Sequence, residues 1–334
     1  MRIAIYGAGA MGTVLGAFIT KGGYNPDLIT RNLSHVNGLK EKGATVVGSM
    51  EFTIPVNALT PDEMQGEYDV IFLMTKQRDN VKTVQSIVKF LAPDGVICTT
   101  QNGLPERSVA SVIGEEKTLG CAISWGATFV GEGVAKLTSS KEKLTFALGC
   151  PYIYNEKVLF VKKVLESMGK VDLSDNFLGA RWTKLIINGT FSTLSALTGL
   201  TFGQVSKMRE SRRVALELLH ENISVCLKAG VKPEKIQGHD VVKLLNYKGK
   251  VKKFISYLLL PLAMKSHKNL VSGMYYDLKA GKSCDMPFIN GEIVRTAKEF
   301  DVDCPLNLKA LEICAQIESG ERQICKENLA LFNI

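Results

Sequence analysis

A lysine and an asparagine stand four residues apart in an otherwise apolar stretch, Lys184-Leu185-Ile186-Ile187-Asn188. Residues four apart lie on the same face of an α-helix, so this spacing predicts an ammonium beside an amide. When a hydride adds to a ketone, negative charge develops on the oxygen, which needs a proton donor and fixed hydrogen-bond donors. Lys184 can supply both charge and proton. The spacing also allows the alternative of a core helix whose lysine reaches out to water.

The opening twelve residues form a second group with chemical potential, because an apolar strand leads directly into a glycine-rich turn and then a helix. Gly7 permits a tight turn, Gly9 lets backbone approach a pyrophosphate, and Gly12 lets helix and strand pack closely. The helix N-terminus then faces the phosphates. The pattern predicts a dinucleotide site, with an ordinary Gly-rich turn as the alternative. The predicted cofactor-binding residues of this turn are Gly7, Ala8, Gly9, Ala10, Met11 and Gly12.

The residue after the second predicted strand indicates which dinucleotide binds. In the NAD version of such a site, that strand ends in Asp or Glu, which accepts hydrogen bonds from the adenosine ribose. Here the place after residues 27–30 is held by Arg31. A carboxylate would repel a 2′-phosphate, whereas a guanidinium forms charge-assisted hydrogen bonds with it. Arg31 therefore favours NADP over NAD, unless it is only a surface arginine near a strand end.

Two polar segments follow two further predicted strands. Thr75-Lys76 comes after the apolar run 68–74, and Gln101-Asn102-Gly103 comes after the run 95–100. Ligands of open α/β sheets bind at the carboxyl edge of the strands, where both segments would lie. Asparagine followed by glycine is also a common turn signal.

The elements that must position these residues differ between the two halves of the chain. In the first half, strands alternate with helices, which predicts a Rossmann-type, doubly wound parallel sheet. Short alternating stretches between Gly126 and Gly149 predict antiparallel strands added to that sheet. The predicted strands span 2–6, 27–30, 45–54, 68–74, 95–100, 118–124 and 170–173, and the predicted helices 11–21, 32–42, 81–91, 106–113 and 156–168.

The second half has only helical periodicity and predicts an all-helical domain. We expect an NADP-binding domain over 1–175 and a helical substrate and catalytic domain over 176–334. The predicted helices span 177–197, 204–228, 234–246, 251–261, 289–300 and 305–318.

Composition and charge narrow the function classes. A chain of 334 residues suggests two domains, and a net charge of +8 comes from scattered basic residues apart from the run 248–253, which we expect to be a solvated helix end rather than a nucleic-acid site. The apolar run 254–264 is too short for a membrane span and predicts a core helix. Because the first strand begins at residue 2, we expect no signal peptide, a cytoplasmic location and reduced thiols.

A metal centre is not predicted, because no His, Cys, Asp or Glu group has metal-ligand spacing. The four histidines are isolated, and we expect each to be at the surface or hydrogen-bonded. They are His35, His220, His239 and His267.

Taken in order, these segments resemble the ketopantoate reductase (2-dehydropantoate 2-reductase) family of the 6-phosphogluconate dehydrogenase-like superfamily. The resemblance covers nearly the whole chain. It rests on the glycine turn, Arg31, Thr75-Lys76, Gln101-Asn102-Gly103, Lys184 with Asn188, and the late stretches 272–277 and Ile289-Asn290-Gly291.

The resemblance implies an NADPH-dependent reduction of ketopantoate to pantoate, with Lys184 as the general acid at the C2 carbonyl oxygen. Asn102 would orient nicotinamide and substrate. The implied substrate ligands are Asn188 at the distal hydroxyl, Ser192, Ser272 at the carboxylate and Lys76 near the entrance. Lys76, Asn102 and Asp285 would also contact the cofactor.

The chain departs from the family pattern at several positions. Gly273 stands where the family usually has serine, with Ser272 one residue earlier; Asp285 replaces a usual Glu, and Ser192 a common second Asn. A relative that reduces another 2-oxo acid would keep the lysine and the glycine turn but change these ligands. A non-catalytic NADP-binding regulator, in which Lys184 is dispensable, is the alternative of a different class. A homodimer could form through the predicted helix 204–228.

Overall fold

The structure is a computed structural model that describes residues 1–235 and 240–334. The chain forms two compact units. Unit 1 comprises Met1–Gln101 and Pro105–Phe177, and unit 2 comprises Asn102–Leu104 and Leu178–Ile334. The short segment that contains Asn102 therefore belongs with the helical unit, although it follows a strand of unit 1.

Unit 1 is built on a sheet with the strand order β12-β11-β8-β7-β6-β1-β2-β5. All neighbouring pairs are parallel except β8 with β11. The strands of the unit are β1 (Ile3–Tyr6), β2 (Asp27–Ile29), β3 (Ala44–Gly48), β4 (Phe52–Ile54), β5 (Asn57–Leu59), β6 (Tyr68–Leu73), β7 (Leu91–Thr99), β8 (Thr118–Ile123), β9 (Ala127–Gly131), β10 (Val134–Leu137), β11 (Thr145–Gly149) and β12 (Lys170–Leu173). This confirms the predicted doubly wound α/β architecture.

The helices of unit 1 cover both faces of this sheet, because its central strands are apolar on both sides. Ile5 and Phe72 pack in the core on one face, while Ala4 and Ile71 pack in the core on the other. The helices are α1 (Ala10–Lys21), α2 (Leu33–Lys42), α3 (Asn80–Ile87), α4 (Glu106–Ile113) and α5 (Lys157–Leu165). Helix α3 is shorter than predicted, since Leu91 already begins β7.

A second, four-stranded sheet corrects two predictions. Its order is β4-β3-β10-β9, so the stretch 45–54 is a hairpin, β3 with β4, rather than one strand of the main sheet. Of the strands predicted between 126 and 149, only β11 joins the main sheet, while β10 pairs with both β9 and β3. The four-stranded sheet forms separately because it covers α1. Val14 and Phe18 of this helix are buried with Val46 of β3 and Leu137 of β10.

Unit 2 is helical and is packed around α9, whose Leu218 and Leu219 are buried with Leu197 and Ile313. Its helices are α6 (Phe177–Ile187), α7 (Thr193–Thr198), α8 (Phe202–Lys207), α9 (Arg209–Lys228), α10 (Val241–Leu245), α11 (Lys250–Ala263), α12 (Gly273–Lys279), α13 (Asn290–Glu299) and α14 (Pro305–Glu318). A π-turn, Asn188–Ser192, joins α6 to α7 without interrupting the helical path.

Three helix predictions in unit 2 were wrong in detail. The span 204–228 is two helices, because Met208 takes an extended backbone conformation with ψ 138°. The span 234–246 is helical only over Val241–Leu245 among the described residues; positions 236–239, including His239, lie outside them. The apolar run 254–264 is not a core helix, because Phe254, Leu258 and Leu262 of α11 are exposed.

The basic run 248–253 leads into the N-terminus of α11, and Lys248, Lys250 and Lys253 are exposed there, as expected of a solvated helix end. No helix in the described part of the chain is long and apolar enough to cross a membrane.

Candidate functional site

The glycine turn of unit 1 joins β1 to α1 and is tied to the end of β2. The backbone N–H groups of Gly7 and Ala8 both donate to Ile29 O, each at 2.9 Å, and Gly9 N–H donates to Gly7 O at 2.8 Å. Gly7 has a φ of +106°, a conformation that residues with a side chain rarely adopt. The turn therefore depends on glycine at this position.

The three glycines have different surroundings. A Cβ on Gly7 would lie 2.6 Å from Thr75 N, and one on Gly12 would lie 2.6 Å from Gly7 O, so both positions are closed by backbone. A Cβ on Gly9 would meet nothing within 4 Å. Gly9 is also the N-cap of α1, and no side chain from residues 1–235 or 240–334 caps that helix. Open space in front of uncapped backbone N–H groups fits a pyrophosphate.

Arg31 is exposed two residues after β2, next to the strand whose Ile29 O anchors the glycine turn. Its neighbour Asn32 has a structural task. Asn32 is the N-cap of α2, and its Oδ1 accepts from His35 N–H at 3.3 Å and from Ser34 Oγ at 2.9 Å. Arg31 is thus placed by a capped turn and remains available to an anionic ligand group.

Thr75-Lys76 is fixed to the loop after β7 by a buried pair of amides. Gln101 Nε2 donates to Thr75 O and to Asn80 Oδ1, both at 2.7 Å, while Gln101 Oε1 accepts from Asn80 Nδ2 at 3.0 Å and Thr99 Oγ1 at 2.9 Å. Roles for Asn80 and for the side chain of Gln101 were not predicted, because no motif marks either residue. In the structure they fix Thr75, whose backbone nitrogen lies beside Gly7, and the exposed Lys76 follows directly.

The buried His35 links α2 to α1 and to the second sheet through its two ring nitrogens. His35 Nδ1 accepts from Gly133 N–H at 3.0 Å, so Nε2 carries the ring proton and donates to Thr13 Oγ1 at 2.9 Å. Burial lowers the pKa of His35. The imidazole is therefore a neutral structural link between α1, α2 and the second sheet, in agreement with the expectation of a hydrogen-bonded histidine.

In unit 2, Lys184 lies half-buried on the last turns of α6, and the π-turn begins four residues later at Asn188. Ser192 Oγ donates to Asn188 Oδ1 at 3.3 Å, so the two predicted substrate ligands are in contact. Asn188 Nδ2 has no hydrogen-bond partner among the residues that the structure describes. A π-turn at this point was not predicted, and such turns are frequent at functional sites.

Ser272 is the N-cap of α12 and is buried. Its Oγ accepts from Met274 N–H at 3.2 Å, and its own N–H donates to Ser195 Oγ on α7 at 3.1 Å. The hydroxyl expected at a substrate carboxylate therefore has a capping task. Gly273 is exposed at the first helical position of α12.

Asn102 is exposed ahead of Gly103, whose φ of +79° makes the turn that an Asn-Gly pair predicts. Asp285 is half-buried just before the short turn Met286–Phe288 that leads into α13.

One group in the described ranges could offer three ligands to a metal ion: Cys284, Cys314 and Glu318. The two sulfur atoms are 3.5 Å apart, and the residues are too distant in sequence for a spacing motif to show them.

Of the other histidines, His220 Nδ1 bonds Asn246 Oδ1 at 2.8 Å and His267 Nδ1 bonds Ser266 Oγ at 2.8 Å.

Most of the chain matches the models of one protein family. Residues 3–149 match the family model described as ketopantoate reductase PanE/ApbA, and residues 176–318 match the model of its C-terminal part. The 2-dehydropantoate 2-reductase of Pyrococcus abyssi is 26% identical to this chain over 314 residues, which cover 92% of this chain and 95% of that protein.

Two solved structures share the fold. The PanE/ApbA family ketopantoate reductase from Ralstonia eutropha JMP134 has a TM-score of 0.80 and 23% identity, with 97% of this chain and 100% of that chain covered. D-mandelate dehydrogenase, solved with NADH and anilino(oxo)acetate, has a TM-score of 0.80 and 22% identity, with 96% and 99% covered.

Proposed function

Because the chain belongs to the ketopantoate reductase PanE/ApbA family of oxidoreductases, we propose that it is the NADPH-dependent 2-dehydropantoate 2-reductase that supplies pantoate for pantothenate and coenzyme A synthesis. The observation that carries the proposal is the half-buried Lys184 one helical turn before Asn188, whose amide nitrogen lacks a partner among the described residues.

Bound NADPH would supply the hydride for C2 of the 2-oxo acid, and residues of this chain would supply the proton and the hydrogen bonds that orient the substrate. Lys184 Nζ donates a proton to the C2 oxygen as charge develops there, so the ketone becomes an alcohol and the lysine is left neutral. Asn102 orients the reacting groups. Asn188 Nδ2 donates to the distal hydroxyl, and Ser192 fixes the Asn188 amide by donating to its Oδ1.

The residues of unit 1 fit a dinucleotide. The open space at Gly9 and the N–H groups of the first turn of α1 would receive the pyrophosphate. The exposed Arg31 would bind the 2′-phosphate of NADP, and no acidic residue holds the place after β2 that NAD enzymes use for the ribose. Lys76 and Asp285 would complete the cofactor contacts.

Reduction of a different 2-oxo acid is the second candidate. Two observations favour keeping it: D-mandelate dehydrogenase shares the fold with NADH and anilino(oxo)acetate bound, and Ser272, the proposed carboxylate ligand, already caps α12.

Turnover of purified enzyme with a panel of 2-oxo acids, each with NADPH and NADH, separates the candidates. The first predicts that ketopantoate with NADPH gives the highest kcat/KM. Ketopantoate turnover no better than that of pyruvate would reject it, and preferred turnover of phenylglyoxylate would establish the second. A non-catalytic regulator would bind NADPH and reduce none of them.

We also propose the domain division 1–175 and 176–334, a cytoplasmic location and a homodimer. Support for the dimer comes from α11, where Val251, Phe254, Leu258 and Leu262 form one apolar face and are 75, 63, 54 and 66% exposed. If α11 packs antiparallel against α11 of a second copy, the lysine-rich N-terminus of each helix lies beside the C-terminal carbonyl groups of the other. Helix α9, in contrast, buries most of its apolar side chains within unit 2 and exposes Leu227 near its end.

A further inference from the structure

The π-turn Asn188–Ser192 leaves backbone groups that a regular helix would pair, and side chains from two other helices, α9 and α13, contact this region. Asn290 Nδ2 of α13 donates to Gly189 O at 2.9 Å. Asn222 Nδ2 of α9 donates to Ile186 O at 3.4 Å and to Thr190 Oγ1 at 3.0 Å. The rear of the turn is therefore held by two amides that come from outside it.

A third asparagine, Asn307 of α14, fixes the direction of both amides. Asn307 Nδ2 donates to Asn222 Oδ1 at 2.7 Å, and Asn307 Oδ1 accepts from Asn290 Nδ2 at 2.7 Å. Asn222 must then present its NH₂ group to the π-turn. Asn290 must do the same, because its Oδ1 accepts from Thr193 Oγ1 at 2.6 Å.

The orientation of Asn307 is set in turn by Glu221. The oxygens of Glu221 accept from the backbone N–H groups of Leu306, at 3.0 Å, and Asn307, at 2.9 Å, at the first turn of α14. The Asn307 NH₂ group therefore points to Glu221 Oε1, at 2.7 Å. A continuous set of hydrogen bonds connects the N-terminus of α14 to the π-turn, and each amide nitrogen and amide oxygen of the three asparagines takes part in it.

All three asparagines and Thr193 are 0% exposed. Buried polar networks of this kind rigidify a structure only when every member is satisfied, as here. Asn188 and Ser192 are the half-buried residues of the turn, and their side chains contact each other rather than the asparagines. The network therefore holds the backbone of the turn and leaves the Asn188 and Ser192 side chains to a ligand.

We infer that Asn222, Asn290 and Asn307, through Thr193, are positioning residues that keep the π-turn in register and so hold Asn188 in place relative to Lys184. This inference rests on the proposed roles of Lys184 and Asn188. It also gives a task to the Ile289-Asn290-Gly291 segment, which the proposed chemistry does not use.

Thr193→Val tests the inference with little change of shape, because it removes only the hydroxyl that donates to Asn290 Oδ1 at 2.6 Å and lies 3.3 Å from Asn188 O. Thr193→Ser restores a hydroxyl. Thr296→Val is the matched control: Thr296 is a buried threonine on α13, and within the described ranges its hydroxyl donates only to Glu292 O of its own helix.

We expect kcat of Thr193→Val to fall about tenfold to hundredfold, the scale of a small misplacement of a reacting group. KM for NADPH should change little, since the proposed contacts to the pyrophosphate and the 2′-phosphate, at the glycine turn and Arg31, lie in unit 1. Thr193→Ser should recover most of kcat, and Thr296→Val should keep the wild-type value. Equal kcat values for Thr193→Val and Thr296→Val would overturn the inference.

If the wild-type enzyme reduces no 2-oxo acid, the proposed function fails, and the inference is then judged by hydrogen exchange. Amide exchange in a peptide covering 186–194 should be faster in Thr193→Val than in wild type, and unchanged in Thr296→Val. Equal protection in all three proteins would overturn it.

Discussion

Gly9→Ala separates folding of the glycine turn from binding of the nucleotide. Gly9 has φ −80° and ψ −151°, an extended conformation available to alanine, and its added Cβ would meet nothing within 4 Å. The same methyl would occupy the space that we assign to the pyrophosphate. The variant should therefore fold normally and bind NADPH poorly.

The expected sizes follow from general energetics. Alanine is a poorer N-cap than glycine by up to about 1 kcal/mol, and the stiffer unfolded chain returns about 0.4–1 kcal/mol, so the net change in stability is within about 1 kcal/mol. Losing two charge-assisted hydrogen bonds from backbone to phosphate, about 1.5 kcal/mol each, raises Kd about hundredfold.

Thermal unfolding with and without NADPH measures both effects. At NADPH equal to 100 times the wild-type Kd, the wild-type protein gains about 2.7 kcal/mol, or about 5–11 °C in Tm, whereas Gly9→Ala gains about 0.4 kcal/mol and at most about 2 °C. The control is Gly131→Ala in β9, another open position. A wild-type shift in Gly9→Ala would refute the assignment of the pyrophosphate site, and an unstable apo variant would refute the reasoning about the turn.

Three further outcomes are expected. Arg31→Ser should lower kcat/KM for NADPH about tenfold and leave that for NADH unchanged, because one exposed charge-assisted contact is lost; equal losses with both cofactors would contradict this. Burial lowers the pKa of His35 in the folded protein, so the unfolded chain binds more protons near the ordinary histidine pKa. The free energy of unfolding should therefore decrease as pH falls below about 6.5 and stay level above it. Urea unfolding of His35→Gln should lack this pH dependence, and an identical dependence in both proteins would assign it to other groups. Leu258→Glu should convert the proposed dimer to a monomer in light scattering, whereas Leu227→Glu, an exposed leucine at the end of α9, should not; a monomeric wild-type protein would contradict the dimer.

The local features of unit 1 could be predicted from sequence because their causes are local. The glycine turn needs a strand, three glycines and a helix in succession, and all are visible in the first twelve residues. The bounds of α4, β12 and α14 also agree with the predicted spans. Each is a short periodic segment between clear turn or cap residues.

The second sheet could not be predicted, because its pairing is long-range. β3 pairs with β10, which lies about ninety positions later in the sequence, and the apolar alternation of 45–54 is equally typical of a strand in the main sheet. The third strand of the main sheet along the chain is β5, which begins with Asn57. Its three residues are too few to show a periodic pattern.

The buried hydrogen bonds of unit 2 could not be predicted for the same reason, because they join residues far apart in the sequence. Lys184 and Asn188 could be recognised because they lie four residues apart on one continuous helical path, whereas Asn222, Asn290 and Asn307 meet only after three helices, α9, α13 and α14, have packed. The exposed face of α11 is apolar in the same way as a core helix, so composition alone assigned it wrongly to the interior.

The central claim is that Lys184 donates the proton during reduction, and single-turnover oxidation of bound NADPH by ketopantoate tests it most directly. Lys184→Ala should slow that step about 10²–10⁴-fold while the Kd for NADPH changes little, and Lys228→Ala, an exposed lysine at the end of α9, should behave as wild type. A Lys184→Ala enzyme that oxidises NADPH at the wild-type rate would contradict the account.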